Sequence, residues 1–473
     1  MLRPHPRYQC FPSVICVGRE TEITIVPRDI SRVFREENDY EFGIFGLRDD
    51  LVDYHFSPTL DRPFHLVDGC LRFTFTAESE QEFSVRFRVN GGKEERLALY
   101  ALHEDLYQLR PLKGDFHSHT YYSDGQDGVA MTPAEYREEG FDFFALTDHN
   151  RLFTSELAAD LYKDIPLGMH IMTGEEVHPP ESSLHIVGVG QTTGVSYEYI
   201  HHKEAYEAAL DELESTLTHV PEQYRRRTAM AKWCCNEIRK NGGLAIFAHP
   251  FWCPNLYNYS EEFLNILFDE KLFDAVEIVG GIGTNGRLNN LQLTTWQEQA
   301  FKGNVLPVVG SSDSHNHYSP NGKFGRCFSV VFAKENTTAS ILEAVRSGYS
   351  VAGEVPRGDD ADIRFYGSQF RLVAFAHFLY EHYFSETRRL CFGEGTLMQR
   401  YAEGEPVGEL LAAFASTVSD FYKKFYGLLP APTLPAERLA FLDRCRERQR
   451  TEGPATKGSK LYLYDNNTNV RRE

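Results

Sequence analysis

Gly114-Asp115-Phe116-His117-Ser118-His119 opens the stretch whose reading decides the fold. It has the length of a strand, and on a strand residues i and i+2 point the same way, so His117 and His119 face one side together. Outward from it, short apolar runs recur at 143–149, 170–177, 185–190, 244–249, 275–280 and 305–310. Most are separated by stretches of helical periodicity. The longest gap, after the fourth run, holds helical stretches at 203–216 and 226–240, the second ended by Asn241-Gly242-Gly243. Seven strands mostly alternating with helices predict an α/β domain over 111–355, a parallel sheet closed as a barrel.

The flanks read differently. In 1–110, Phe83, Val85, Phe87 and Val89 alternate with Ser84, Arg86 and Arg88, and Leu71, Phe73 and Phe75 repeat the period of two. Asp68-Gly69 and Asn90-Gly91-Gly92 supply turns beside such runs. This predicts an all-β, sandwich-like domain. Residues 356–473 read as a mostly helical extension, with an aromatic stretch at 370–383, one amphipathic helix at 407–426, and a last helix at 437–448 after Pro430, Pro432 and Pro435.

Bulk properties narrow the function classes. The 473 residues are 42% hydrophobic and 25% charged, as in an ordinary globular protein, and no apolar run approaches a membrane span. The N-terminal residues lack a signal-peptide core, and the nine scattered cysteines contain no C-x-x-C pair. Both predict a cytoplasmic protein with free thiols, and the spacing excludes a cysteine-based zinc finger. The formal net charge of −19 repels a phosphate backbone, so no extended nucleic-acid partner is expected, and without a long apolar run no membrane partner is expected either. A small anionic substrate remains compatible, because bound cations invert the local field.

Chemistry gathers at the strand ends. Asp313-Ser314-His315 repeats the i, i+2 spacing of His117 and His119. Between them in sequence lie Thr147-Asp148-His149, Gly174-Glu175-Glu176, His185 and Ala248-His249-Pro250. Any one of these histidines alone is better read as a hydrogen-bonded structural residue. Their joint occurrence in successive strand-end segments is what points to metal. In α/β barrels the C-terminal strand ends build the active site, and only His185, which starts its run, departs from this. Imidazole mixed with carboxylate suits zinc, manganese or iron. Glu175 and Glu176 are neighbours, so on a strand only one of them can face the cluster.

In order, these motifs resemble those of the PHP (polymerase and histidinol phosphatase) superfamily of metal-dependent hydrolases. Asp115-Phe116-His117-Ser118-His119-Thr120 with Ser123-Asp124-Gly125 resembles the first motif and Ala145-Leu146-Thr147-Asp148-His149 the second. Gly174-Glu175-Glu176-Val177, His185-Ile186-Val187-Gly188, Ala248-His249-Pro250 and Gly310-Ser311-Ser312-Asp313-Ser314-His315 resemble the rest. The resemblance covers about 111–355 and implies a distorted (β/α)7 barrel holding two or three divalent metal ions. It implies that His117, His119, Glu176 and Asp313 hold one metal. Glu176 would bridge to a second, held also by His185 and His249, and Asp124, His149 and His315 would hold a third. The ligand usually stands two residues after the glycine, which selects Glu176 over Glu175.

The implied activity is hydrolysis of a small phosphate ester by a metal-bridging hydroxide, with Asp148, His315 and Glu176 as catalytic residues. Asp148, beside a ligand, reads either as orienting it or as a proton donor. Two alternatives stand beside this reading: hydrolysis of an amide, carbamate or ester bond on the same metals, and a metal-stabilised binding module without turnover. Arg287, Lys323 and Arg326 follow strand ends and are better read as surface charge than as anion contacts. His178 and His317 read as polar rim residues, Cys253 as a packed or rim thiol, and His201-His202 as an exposed helix start. His5, His55, His65 and His103 lack ligand spacing.

Overall fold

A computed structural model describes residues 5, 7–46, 61–252, 259–280, 286–317, 324–356 and 362–452. The described residues divide into two compact units, one within 109–418 and the other formed by residues of 5–108 together with 419–452.

In the second unit, the period-2 runs form two four-stranded sheets. One contains Tyr8–Phe11, Thr21–Pro27, Cys70–Phe75 and His65–Val67. The other contains Val14–Cys16, Glu95–Leu102, Gln81–Val89 and Tyr40–Phe45. Phe83, Val85, Phe87 and Val89 are buried, and Ser84, Arg86 and Arg88 stand half-exposed between them. Ile23, Leu71 and Phe73 of one sheet share a core with Phe42, Val85 and Phe87 of the other.

The helical C-terminal stretch is divided between the units. The single helix expected at 407–426 is two, Gly408–Phe414 and Thr417–Phe425. Phe421 and Leu434 pack on Phe11, Val26 and Cys70 of the β unit. Ser13 N donates to Phe425 O at 2.8 Å, Tyr107 OH to Tyr426 O at 2.8 Å, and Arg35 pairs with Asp443 at 2.9 Å. The helix Ser385–Ala402 belongs to the other unit, against Thr132–Glu138.

The 109–418 unit carries two mixed sheets where the sequence predicts one parallel sheet. Six strands run in the order His170–Met172, Phe143–Ala145, Arg110–Asp115, Cys327–Ala333, Ser350–Glu354, Arg364–Tyr366. Five run in the order Gly174–Val177, Ile186–Val189, Leu244–Phe247, Ala275–Val279, Val308–Gly310. Each of the seven expected runs contains strand, but 170–177 breaks at Thr173 into strands of different sheets. Cys327–Ala333, Ser350–Glu354 and Arg364–Tyr366 were not expected. Cys327–Ala333 is buried throughout, and such a run has no polar alternation to mark it as a strand. It pairs antiparallel with Arg110–Asp115, and Ile186–Val189 pairs antiparallel with both its neighbours, so the sheets are not all-parallel.

That reversal accounts for His185. Ile186 pairs with Val177 and with Phe247, so the start of its strand lies beside the ends of the adjacent two. His185 therefore reaches the same end of the sheet as Glu176 and His249. None of the described helices is long and apolar enough to cross a membrane, and the eight described cysteines are free thiols.

Candidate metal centre

His117 and His119 lie just beyond the strand Arg110–Asp115 in extended backbone. Asp313 and His315 lie beyond Val308–Gly310. The two i, i+2 motifs are joined by a parallel bridge between Ser118 and Ser314, with Asp313 N donating to His117 O at 3.0 Å and His119 N to Ser314 O at 2.8 Å. Asp115 secures this junction. Fully buried, its carboxylate accepts from His117 N, Ser312 N and Tyr136 OH, each at 3.1 Å. Asp313 has φ +48, a left-handed conformation that a non-glycine residue adopts at some cost and that clusters at functional sites. A second bridge pairs His149 with Glu176 and brings the two sheets together at the same place.

Four side chains converge first. His117 Nε2 lies 3.1 Å from His119 Nε2, 3.3 Å from Glu176 Oε2 and 3.3 Å from Asp313 Oδ1. His119 Nε2 lies 3.4 Å from Glu176 Oε2 and 3.0 Å from Asp313 Oδ1. A tetrahedral ion with ligand bonds of about 2.0–2.1 Å has ligand–ligand edges of roughly 3.3 Å, so these separations match a coordination shell. His117 Nδ1 donates to Glu277 Oε2 at 3.0 Å, which directs Nε2 toward the cluster.

Glu176 faces two directions. Its Oε1 lies 2.9 Å from His185 Nδ1 and 3.2 Å from His249 Nε2, so its two oxygens serve different histidines. A third group forms around Asp124, whose Oδ1 is 3.1 Å from His149 Nε2 and whose Oδ2 is 3.2 Å from His315 Nε2. His315 Nδ1 donates to Asp313 O at 2.9 Å, which directs its Nε2 outward. All nine residues expected as ligands are thus brought together in overlapping groups, Glu176 belonging to several of them and His119 joining Asp124, His149 and His315.

Several of these atoms are close without being hydrogen-bonded. Glu176 Oε1 and Oε2, Asp313 Oδ1, His149 Nδ1 and His185 Nδ1 are buried and have no hydrogen-bond partner. Buried polar atoms are almost always paired, so a set this large aimed at common centres fits bound cations. Their charge states agree. Burial would raise the Glu176 and Asp313 carboxyls, but the surrounding imidazoles hold both well below the ordinary range. Burial would lower His149 and His315, yet Asp124 with Glu176 lifts the first to about 10, and Asp124 with Asp313 lifts the second to about 9. For His185 burial prevails over Glu176 and brings it down to about 4.

Other expected residues fall elsewhere. Asp148 is fully buried, and its oxygens accept from Thr120 N and Oγ1, both at 2.7 Å, and from Ser123 Oγ at 2.6 Å. Glu175 faces away from the cluster, accepting from Val195 N and, at 2.7 Å, from Ser196 Oγ at the start of the helix Val195–His201. Arg287, His201 and His202 are exposed. Arg326 lines a separate cavity with Asn289, Glu354 and Tyr366. His317 is clamped between Asp127 at 2.8 Å and Glu135 at 2.7 Å. His5, His65 and His103 belong to the β unit. Lys323, Cys253 and His55 lie outside the described residues. Sequence reasoning missed the part of two residues in the cluster. Glu277 has a legible signal, a carboxylate inside the buried strand Ala275–Val279, which demands a partner. His178, read as a rim residue, turns its Nε2 to 3.5 Å from Glu176 Oε2.

No family model and no curated protein matches the chain. Among solved structures it is similar to a two-domain protein containing a predicted PHP-like metal-dependent phosphoesterase from Bacteroides vulgatus. That match has 20% identity and a TM-score of 0.37 and covers 52% of this chain and 65% of the other, less than two thirds of its length. It is also similar to a putative metal-dependent phosphoesterase from Bifidobacterium adolescentis, at 18% identity and TM-score 0.31 over 44% of this chain and 90% of that one. A third is Endonuclease Q in complex with a 27-mer duplex substrate, at 14% identity and TM-score 0.31 over 50% of this chain and 57% of that one. Likeness at this level transfers no activity.

Proposed function

We propose that the chain is a metal-dependent hydrolase acting on a small phosphate ester, with its site in a distorted PHP-type barrel over about 111–355. The observation that carries this reading is the set of buried, unpaired ligand atoms around Glu176 and Asp313. In it, His117, His119, Glu176 and Asp313 hold one cation, Glu176 with His185 and His249 a second, and Asp124 with His149 and His315 a third. Bound divalent cations supply Lewis acidity toward a phosphoryl oxygen and activate water at neutral pH.

The chain's own residues then have distinct tasks. Glu277 fixes the tautomer and direction of His117. Asp148 is assigned to positioning rather than to proton transfer, because its contacts hold the Thr120–Ser123 turn that carries Asp124 into place. Glu176 draws two groups together through its separate oxygens. His315, one-third exposed, stands at the solvent side of the cluster, where a substrate arrives. The net charge of −19 favours a small substrate over an extended nucleic acid.

The test is a hydrolysis screen of the Mn²⁺- and Zn²⁺-loaded protein against phosphomonoesters, phosphodiesters, carboxylic esters and amides, with phosphate and amine release both measured. Metal-dependent phosphate release is expected. Cleavage confined to amides or carboxylic esters would replace the phosphoesterase reading, and metal binding without any turnover would replace the enzyme reading.

A further inference from the structure

We infer that His178 supplies a tenth ligand residue to the cluster, completing with His149 and Glu176 a separate three-atom seat for a divalent transition-metal ion. The inference rests on the metal-centre part of the reading above, and not on which bond is cleaved.

Three atoms define the seat: His149 Nδ1, Glu176 Oε2 and His178 Nε2. Glu176 Oε2 is 2.9 Å from the first and 3.5 Å from the third. Ligand atoms of the three residues lie within 4.8 Å of one another. Each of the three atoms is buried and has no hydrogen-bond partner. An ordinary histidine–carboxylate hydrogen bond would satisfy two of them, and none is made. His149 turns a different nitrogen to each side, but a neutral imidazole has one lone pair, so it serves this seat and the Asp124 group together only by giving up its second ring proton, and otherwise serves one or the other. Nε2 faces Asp124 at 3.1 Å, and Nδ1 points to the other side.

The local backbone is built to hold His178 in this place. It follows Glu176 by two residues at the end of the strand Gly174–Val177, so both side chains are directed to one face. His178 N donates to Asn150 Oδ1 at 2.8 Å. Tyr199 OH lies 2.6 Å from Asn150 Oδ1 and 2.9 Å from His178 O. Asn150 sits next to His149 and has φ +54, so the two histidine-bearing segments are tied together through a strained residue. The ring itself is stacked 3.8 Å from His185 and lies 4.1 Å from His149, centroid to centroid. Two imidazole nitrogens and one carboxylate oxygen suit zinc, iron(II) or manganese, with a position left for water or substrate. Because Glu176 Oε2 also faces His117 and His119 at 3.3 and 3.4 Å, the seat and the first group compete for one oxygen.

The experiment is Co²⁺ titration of the full chain, followed by visible absorption and by calorimetry, for wild type, His178→Phe and His178→Asn. The phenylalanine keeps the stack on His185 and removes the nitrogens, while the asparagine is a smaller replacement should Phe disturb folding. Expected is a loss of at least tenfold in affinity for the weakest-bound ion and an altered d–d spectrum in whichever variant melts as wild type does. Spectra and affinities identical to wild type in such a variant would overturn the inference. The proposed function fails separately: wild type that binds Co²⁺ through His178 but hydrolyses nothing sinks the function and keeps the seat. Wild type that releases phosphate, with His178 variants binding metal unchanged, does the reverse.

Discussion

Arg137 and Glu176 are both ionisable and both nearly hidden from solvent within the 109–418 unit, yet their surroundings differ in kind. Arg137 Nε donates to Glu394 Oε2 at 2.8 Å and Nη1 to Phe141 O at 2.8 Å, while Nη2 stands 2.7 Å from the same Oε2 as an ion pair without a hydrogen bond of its own. Glu394 Oε1 accepts from Gly168 N at 2.6 Å. Gly395 allows the helices carrying them to approach, since a Cβ there would fall 2.5–2.7 Å from atoms of Glu138 and Ala134. Glu176, by contrast, has six imidazole rings with a nitrogen within 3.5 Å of its oxygens, and neither oxygen is hydrogen-bonded. A buried charge closed on its counter-charge braces two helices. A buried charge ringed by unpaired donor atoms is a socket, and its stability depends on what fills it.

The comparison is open to attack at both ends. Glu394→Ala strands a buried guanidinium, so unfolding by denaturant should show a loss of about 3–5 kcal/mol, with metal stoichiometry unchanged in the folded fraction. A cost near zero would mean that the pair braces nothing. Asp313→Ala should leave the fold intact by circular dichroism but lower both metal content and turnover, the latter by at least about 100-fold. Near-wild-type turnover at saturating metal would remove Asp313 from the first group.

Protonation offers a test without mutation. With His149 raised to about 10 and His315 to about 9, both are protonated in the metal-free chain at pH 8. Cations must displace these protons, so uptake at pH 8 should release at least two per chain, with a further one from His117, which burial would lower but Asp313 and Glu176 hold well above the ordinary histidine range. Calorimetry in buffers of different ionisation enthalpy reads this directly, and equal heats in every buffer would count against both ligands.

Smaller effects sharpen the boundary of the socket. Glu277→Gln keeps the size of the side chain but weakens its hold on His117 Nδ1, and metal affinity should fall about tenfold. Glu175→Gln alters a carboxylate that anchors the Val195–His201 helix, so it should cost about 1 kcal/mol of stability and leave metal content untouched. Metal loss in Glu175→Gln with retention in Glu176→Gln would exchange the roles of the two glutamates.

Much of the site was legible in the chain because short-range geometry decides it. The i, i+2 spacing of His117 with His119 gives that pair a common direction wherever the backbone is extended, whereas the left-handed φ of Asp313 takes Asp313 and His315 out of that rule and sends them to neighbouring groups. The opposite facing of Glu175 and Glu176 follows from the same pleat. The alternation from Phe83 to Val89 likewise marks one buried face before any partner strand is known. Strand direction is a different matter. Nothing local tells Ile186–Val189 to run against its neighbours, so His185 looked misplaced until the antiparallel pairing put it beside Glu176. Cys327–Ala333, apolar throughout, has no periodicity to announce it, and its antiparallel place beside Arg110–Asp115 depends on residues more than two hundred positions away. The allegiance of the C-terminal helices was equally hidden, because an apolar helix face does not specify which core it covers. The sequence by itself therefore determined which side chains are able to act together, through periodicities of a few residues. Only the tertiary structure decided which of their atoms meet, because unpaired oxygens and nitrogens are a property of long-range pairing and of burial.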